Sequence, residues 1–171
     1  DIEFHGLEIT EAGVEMAKII QKQPSTPQQM LNFMAEHSLN DQQHKSVSII
    51  QGDAEYLPYK TNSFDMVYTS LSLNLMTGYT DTAIKEILRV TQDMVVLVEP
   101  WRNFNNEGLR RNYMIAKDYM SMKISDLNSL GLTSIFASND IPYKAYMSIG
   151  CYIGKKKYNF SPETKRVVKE G

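Results

Sequence analysis

The stretch Gln51–Leu73, QGDAEYLPYKTNSFDMVYTSLSL, limits what this chain can fold into more than any other. It joins the apolar, β-branched run Ser46–Ile50 to a second apolar run, Phe64–Leu73. The polar loop between them holds Pro58 and the Thr61-Asn62-Ser63 cluster. Turn-forming residues between two short apolar runs predict two buried strands. Such strands suit an open α/β sheet, whose ligands bind outside the carboxyl ends of the strands. Gly52-Asp53-Ala54 stands at one such end, and Thr69 to Ser72 at the next.

The flanking segments continue the alternation of strand and helix. Ile2–Ile9 reads as a strand with Glu8 near its end. Thr10 then reads as the N-cap of a helix with Glu11 in its first turn and Val14, Ala17 and Ile20, with Met16, on its apolar face. Pro24-Ser25-Thr26-Pro27 stops that helix and starts another, giving a helical insertion over residues 24–45 with Met30, Leu31, Phe33 and Met34 inward. Asp81–Val90 is amphipathic, with Ala83, Ile84, Ile87 and Leu88 inward and Lys85, Glu86 and Arg89 on a solvated face. Met94–Val98 is a continuous apolar run, which predicts a strand buried on both faces.

Beyond it, Glu107–Met122 spaces Leu109, Tyr113, Ala116 and Met120 as the inner face of a helix. Asp126–Leu130 reads as a short helix closed by Gly131. Thr133–Ala137 and Ala145–Ile153 read as a final pair of strands. The second alternates, with Ala145, Met147, Ile149, Cys151 and Ile153 toward the core. Residues 155–171 read as a polar tail.

Composition narrows the function classes. A chain of 171 residues is long enough for one domain over 1–171 with a sizeable core. A net charge of −2, with no block of Lys or Arg before the tail, argues against a nucleic-acid surface. No apolar run approaches the roughly 20 residues of a membrane span, so no membrane partner is expected. The single cysteine, Cys151, forms no internal disulfide and fits a reducing compartment, which makes cytoplasmic the expected location. His5, His37 and His44 are isolated and predict no metal site.

Four segments carry a resemblance. GDAEYLPYKTNSFDMVYTSLSL resembles the GDAxxLPFxDxSFDxVxxxxxL signature of class I S-adenosylmethionine-dependent methyltransferases, in particular their small-molecule, type 11 branch. HGLEIT, from His5, resembles the segment written GxDxS. AIKEILRV, from Ala83, resembles the helix written ALxExxRV, and MVVLVEP, from Met94, resembles the strand after it. Four pieces in the same order are far more specific than GDA alone.

The resemblance implies an α/β fold with a Rossmann-like methyltransferase sheet, mostly parallel with a C-terminal antiparallel strand. It implies S-adenosyl-L-methionine as cofactor and a small-molecule acceptor, and it leaves room for a homo-oligomer. In the family the opening segment is the second strand. The first strand and its glycine-rich loop are therefore expected upstream, and no GxGxG occurs in the sequence.

The resemblance also assigns roles. Glu8, with Ile9 beside it, receives the ribose hydroxyls. Asp53 accepts from the adenine amino group, the Ala54 N–H meets a ring nitrogen, and Thr69, Ser70 and Leu71 line the methionine part. The residues alone leave two plainer readings open: Glu8 assisting the next helix start, and Asp53 closing its strand in an Asx turn. Asn74 stands where many relatives carry a His; an amide cannot act as a base there but can hydrogen-bond a substrate.

Glu99, Trp101 and Arg102, at one strand end, form the best candidate substrate-facing group, although Trp101 equally suits a packed loop. Glu99 and Tyr113 are the candidates for a general base. The principal reading is methyl transfer by direct displacement. The alternative is a non-catalytic methyltransferase-like module that binds a partner or a nucleotide. A nicotinamide-dependent dehydrogenase would explain neither GDAxxLP nor the final strand pair.

Overall fold

The computed structural model describes residues 2–22, 32, 35–36, 46–141 and 147–157. They fall in two compact units, Asp1–Ala54 and Glu55–Gly171. The insertion over 24–45, with Thr26, Pro27, Met30, Leu31, Phe33, Met34, His37 and His44, lies outside the described residues apart from positions 32, 35 and 36, which are helical.

In the first unit, β1 (Phe4–Glu8) pairs in parallel with β2 (Val47–Gln51), with Glu8 opposite Gln51. Helix α1 (Glu11–Gln21) starts as its sequence requires. Thr10 is extended, and its hydroxyl accepts from the Gly13 N–H at 3.0 Å. Val14 is buried, but the apolar face expected of α1 is only partly covered: Met16, Ile19 and Ile20 are exposed. A two-stranded sheet gives a helix little surface to lie on.

The second unit holds a four-stranded sheet of β3 (Phe64–Ser70), β4 (Thr91–Glu99), β6 (Gly150–Lys156) and β5 (Leu132–Ser138), in that spatial order. β3 and β4 are parallel, and β6 is antiparallel to both β4 and β5. Three strands therefore run one way, and the last strand in the sequence runs against them. This is the Rossmann-like arrangement expected, with its antiparallel C-terminal strand. The helices of this unit are α2 (Thr80–Val90), α3 (Gly108–Ala116) and α4 (Ile124–Ser129).

One part of the core of this unit is formed by α2 and β4. Ala83, Ile84, Ile87, Leu88 and Val90 are buried, as are Val95 and Leu97. β4 begins immediately after α2, three residues ahead of the apolar run Met94–Val98, with the Thr91 hydroxyl donating to the Ile87 carbonyl at 2.6 Å. β4 is not buried equally on both faces. Val95 and Leu97 are sealed, while Met94, Val96 and Val98 are half-buried.

Three further expectations are corrected. The helix expected over Glu107–Met122 ends at Ala116, and Asp118 and Met120 take left-handed backbone, which α-helix forbids. The buried residues of this range are Met114 and, beyond the helix, Met120 and Met122, whereas Leu109 and Ala116 are exposed. In β6 the buried parity is the reverse of that expected: Gly150, Tyr152 and Gly154 face inward, and Cys151 and Ile153 are half-buried. The apolar side chains fall on the odd positions, but the glycines at even positions leave room for rings. A Cβ on Gly154 would come within 2.7 Å of the Tyr152 ring, and one on Gly150 would strike Phe104. Finally, Lys155 and Lys156 belong to β6 rather than to a tail, and the Lys156 ammonium donates to the Thr91 carbonyl at 2.8 Å.

Candidate active site

Two strand ends supply the candidate residues of the first unit. Because β1 and β2 are in parallel register, their carboxyl ends lie side by side, and the Gly52 N–H donates to the Glu8 carbonyl at 3.0 Å. The Gln51 amide reaches the Ile9 carbonyl at 3.1 Å. Glu8, Ile9, Asp53 and Ala54 are thereby gathered at one edge of this small sheet.

The Glu8 carboxylate folds over the start of α1. Its Oε1 accepts from the Thr10 hydroxyl at 2.7 Å and from the Thr10 N–H at 3.0 Å. These two bonds hold its pKa below the ordinary glutamate value, so it stays charged at neutral pH. The space it occupies depends on Gly13, where a Cβ would come within 2.5 Å of the carboxyl group. Assistance to the next helix start, the plainer role open for Glu8 in the sequence, is thus visible in the fold.

In the second unit the end of β3 is shaped by a buried carboxylate. The strand stops at Ser70 rather than running on to Leu73, because Leu71 turns into left-handed backbone with φ of 52°. The Leu71 N–H still donates to the Val98 carbonyl at 2.9 Å. A short 3₁₀ turn, Leu73–Leu75, follows. Glu99, fully buried at the end of β4, receives this turn: Oε1 accepts from the N–H groups of Ser72 and Leu73 at 3.2 Å each, and Oε2 from that of Asn74 at 3.3 Å.

The Asn74 side chain, in the orientation its surroundings require, donates to the Leu71 carbonyl at 2.8 Å and to Glu99 Oε2 at 3.2 Å. Burial pushes the Glu99 pKa up. The Leu73 N–H, the Thr69 hydroxyl and the N–H groups of Ser72 and Asn74 pull it the other way. Thr69 Oγ1 is itself buried and closes no hydrogen bond of ordinary geometry among the described residues.

The group expected to face substrate does not form a common surface. Glu99 is committed to the turn, and Trp101 is fully buried, its ring 6.1 Å from that of Tyr152. Arg102 reaches the other way, its Nε donating to the Tyr119 carbonyl at 2.8 Å and its Nη2 to Asp118 at 2.9 Å. It pins the left-handed turn that ends α3. Tyr113 is half-buried and edge-on to Tyr119, with ring centroids 6.0 Å apart. Asn74 is buried.

Two residues that the sequence placed on a solvated face turn out to shape the loop. Glu86 is buried and bonds Arg89 at 2.7 Å. Glu86 Oε2 also accepts from the Leu57 N–H at 3.0 Å, while Arg89 donates to the carbonyls of Leu57 at 2.9 Å and Tyr59 at 2.7 Å. The E-x-x-R spacing in AIKEILRV was the available signal, since residues three apart share a helix face. Asn105, also unanticipated, ties the Trp101 carbonyl to both backbone groups of Ser148 at 2.7–2.8 Å.

Residues 3–98 match the model of a family described as a methyltransferase domain. The chain belongs to this methyltransferase family. It is an S-adenosylmethionine-dependent enzyme, and S-adenosylmethionine is its cofactor. The methyltransferase fold recurs in solved structures. An S-adenosylmethionine-dependent methyltransferase of Methanosarcina mazei superposes with a TM-score of 0.67 at 14% identity, covering 90% of this chain and 81% of that one. A protein of Pyrococcus horikoshii OT3 gives 0.60 at 14% identity, covering 91% and 72%. The [4+2]-cyclase SpnF gives 0.55 at 16% identity, covering 91% and 66%. At such identities these likenesses establish the fold alone, and a cyclase among them shows how far chemistry can drift on one scaffold. No match to the chain was found among curated proteins.

Among the described residues no group of His, Cys, Asp and Glu is placed to hold a metal ion, and no helix is long and apolar enough to cross a membrane.

Proposed function

We propose that this methyltransferase acts on a small-molecule acceptor, within one methyltransferase-like domain. The acceptor class rests on the resemblance of the GDAEYLPYKTNSFD segment to the small-molecule branch. The observation supporting the cofactor side is the parallel pairing of β1 and β2, which ends with Glu8 opposite Gln51, two residues before Asp53. A nucleoside offers two ribose hydroxyls as donors, and its adenine presents an amino donor beside a ring-nitrogen acceptor. Charged Glu8 fits the hydroxyls as an acceptor, and both Thr10 bonds fall on Oε1. Asp53 and the Ala54 N–H fit the adenine edge, and the family pattern gives Thr69, Ser70 and Leu71 the methionine part.

Bound S-adenosylmethionine supplies a methyl group already activated on sulfur. What remains for the protein is to hold the acceptor in line, which lowers such barriers by about 7–11 kcal/mol in favourable cases. No proton transfer is routed through Glu99, whose oxygens are spent on the Ser72–Asn74 backbone. Tyr113 remains the candidate to accept a proton, and Asn74 supports the site through the turn it closes.

The test is to incubate the protein with methyl-labelled S-adenosylmethionine and a cell extract separated into small-molecule, protein and nucleic-acid fractions. Label in a small molecule that separates from S-adenosylmethionine itself, and that is absent without the protein, supports the proposal. Label confined to protein or nucleic acid refutes it.

A further inference from the structure

We infer that Glu99 is a positioning residue for the amino-acid end of the cofactor, acting through the Leu71–Asn74 turn that its carboxylate holds. The inference rests on the proposed placement of Thr69–Leu71 along the methionine part.

A turn that must present backbone to a ligand needs its own geometry fixed beforehand. Left-handed backbone at a non-glycine residue such as Leu71 costs of order 1–3 kcal/mol and persists only where its surroundings impose it. Here the imposition is explicit. The Leu71 N–H is held by the Val98 carbonyl and its carbonyl is held by the Asn74 amide. That amide and the next three N–H groups of the turn all converge on the two oxygens of Glu99. A carboxylate accepts at both oxygens, and no other side chain of this size does so. Gln is nearly isosteric but would turn an NH₂ group toward donors on one side, so half of the latch would be lost.

A residue that merely stabilised the fold would weaken every ligand alike. A residue that sets this turn affects only ligands that extend to it. The experiment is calorimetric titration of wild type and Glu99→Gln with S-adenosylhomocysteine and with 5′-methylthioadenosine, which lacks the amino and carboxylate groups, with thermal unfolding recorded for both proteins. The expected result is a loss of about tenfold for S-adenosylhomocysteine, equivalent to about 1.4 kcal/mol, with methylthioadenosine affinity unchanged within about twofold. Should Glu99→Gln fail to fold, Asn74→Ala, which removes the amide link between Leu71 and Glu99, is read in the same way.

Equal losses on both ligands, or no loss on either, would overturn the inference. Wild type that binds neither ligand would overturn the cofactor placement itself, an outcome distinguishable from these because it precedes any variant.

Discussion

Arg89 and Glu86, one helical turn apart on α2, form an ion pair at 2.7 Å, and both then grip the backbone of the Leu57–Tyr59 loop. The pair is mostly sheltered, its side chains 19% and 10% exposed, so solvent screens it only in part. Within this unit it makes one helix responsible for the shape of the loop that leads into β3.

Arg89→Ala is accordingly expected to lower stability by about 2–3 kcal/mol, since it removes two charge-assisted bonds to carbonyls and leaves Glu86 without its cation. Arg89→Lys should recover less than half, because an ammonium cannot reach Glu86, Leu57 and Tyr59 in one plane. Urea unfolding of the single variants, and of the double variant with Glu86→Ala, checks this through their coupling energy.

Gly13→Ala separates stability from binding. Alanine inside α1 should contribute about 0.5–1 kcal/mol over glycine. The same methyl would displace the Glu8 carboxyl group from its seat beside Thr10. The expected outcome is an unfolding midpoint unchanged or raised, together with weaker S-adenosylhomocysteine binding. Thermal unfolding and calorimetry on the same sample read both.

Burial raises the Glu99 pKa in the folded protein, so the folded state holds this proton more tightly than the unfolded chain. Above the ordinary glutamate value of about 4.3 the unfolded state ionises first, and it then binds fewer protons than the native state. Stability contributed by this site is therefore full below that value and is lost as pH rises through the folded pKa. Compared with Glu99→Gln, wild type should lose stability across this window, and denaturant unfolding at a series of pH values measures the difference. A gap between the two proteins that stays constant with pH would count against the assignment.

Much of this was legible in the sequence because it is local. Thr10 caps α1, and Ala83, Ile84, Ile87 and Leu88 face inward, each following from spacing or a single side-chain type, while the antiparallel β6 follows from the family resemblance. Spacing does not show where polar side chains spend their hydrogen bonds. Glu86 and Arg89 look like surface charges by helical periodicity, and only the return of Leu57 and Tyr59 against α2 gives them partners. Glu99 and Arg102 looked like one substrate-facing cluster, yet one serves the turn after β3 and the other the turn after α3. In β6, glycine hid the buried face, since positions that accept a ring carry no apolar side chain of their own. Glu8 and Asp53 are named by the family pattern alone, and the fold adds the parallel register of the strands that lead to them.

The most direct test of the central claim is calorimetric titration of the protein with S-adenosylhomocysteine, repeated for Asp53→Ala with its fold checked by circular dichroism. Binding by wild type that weakens about tenfold or more in a folded Asp53→Ala, equivalent to about 1.4 kcal/mol or more, is the predicted result. Equal affinity in the two proteins, or binding of NAD in place of S-adenosylhomocysteine, would contradict it.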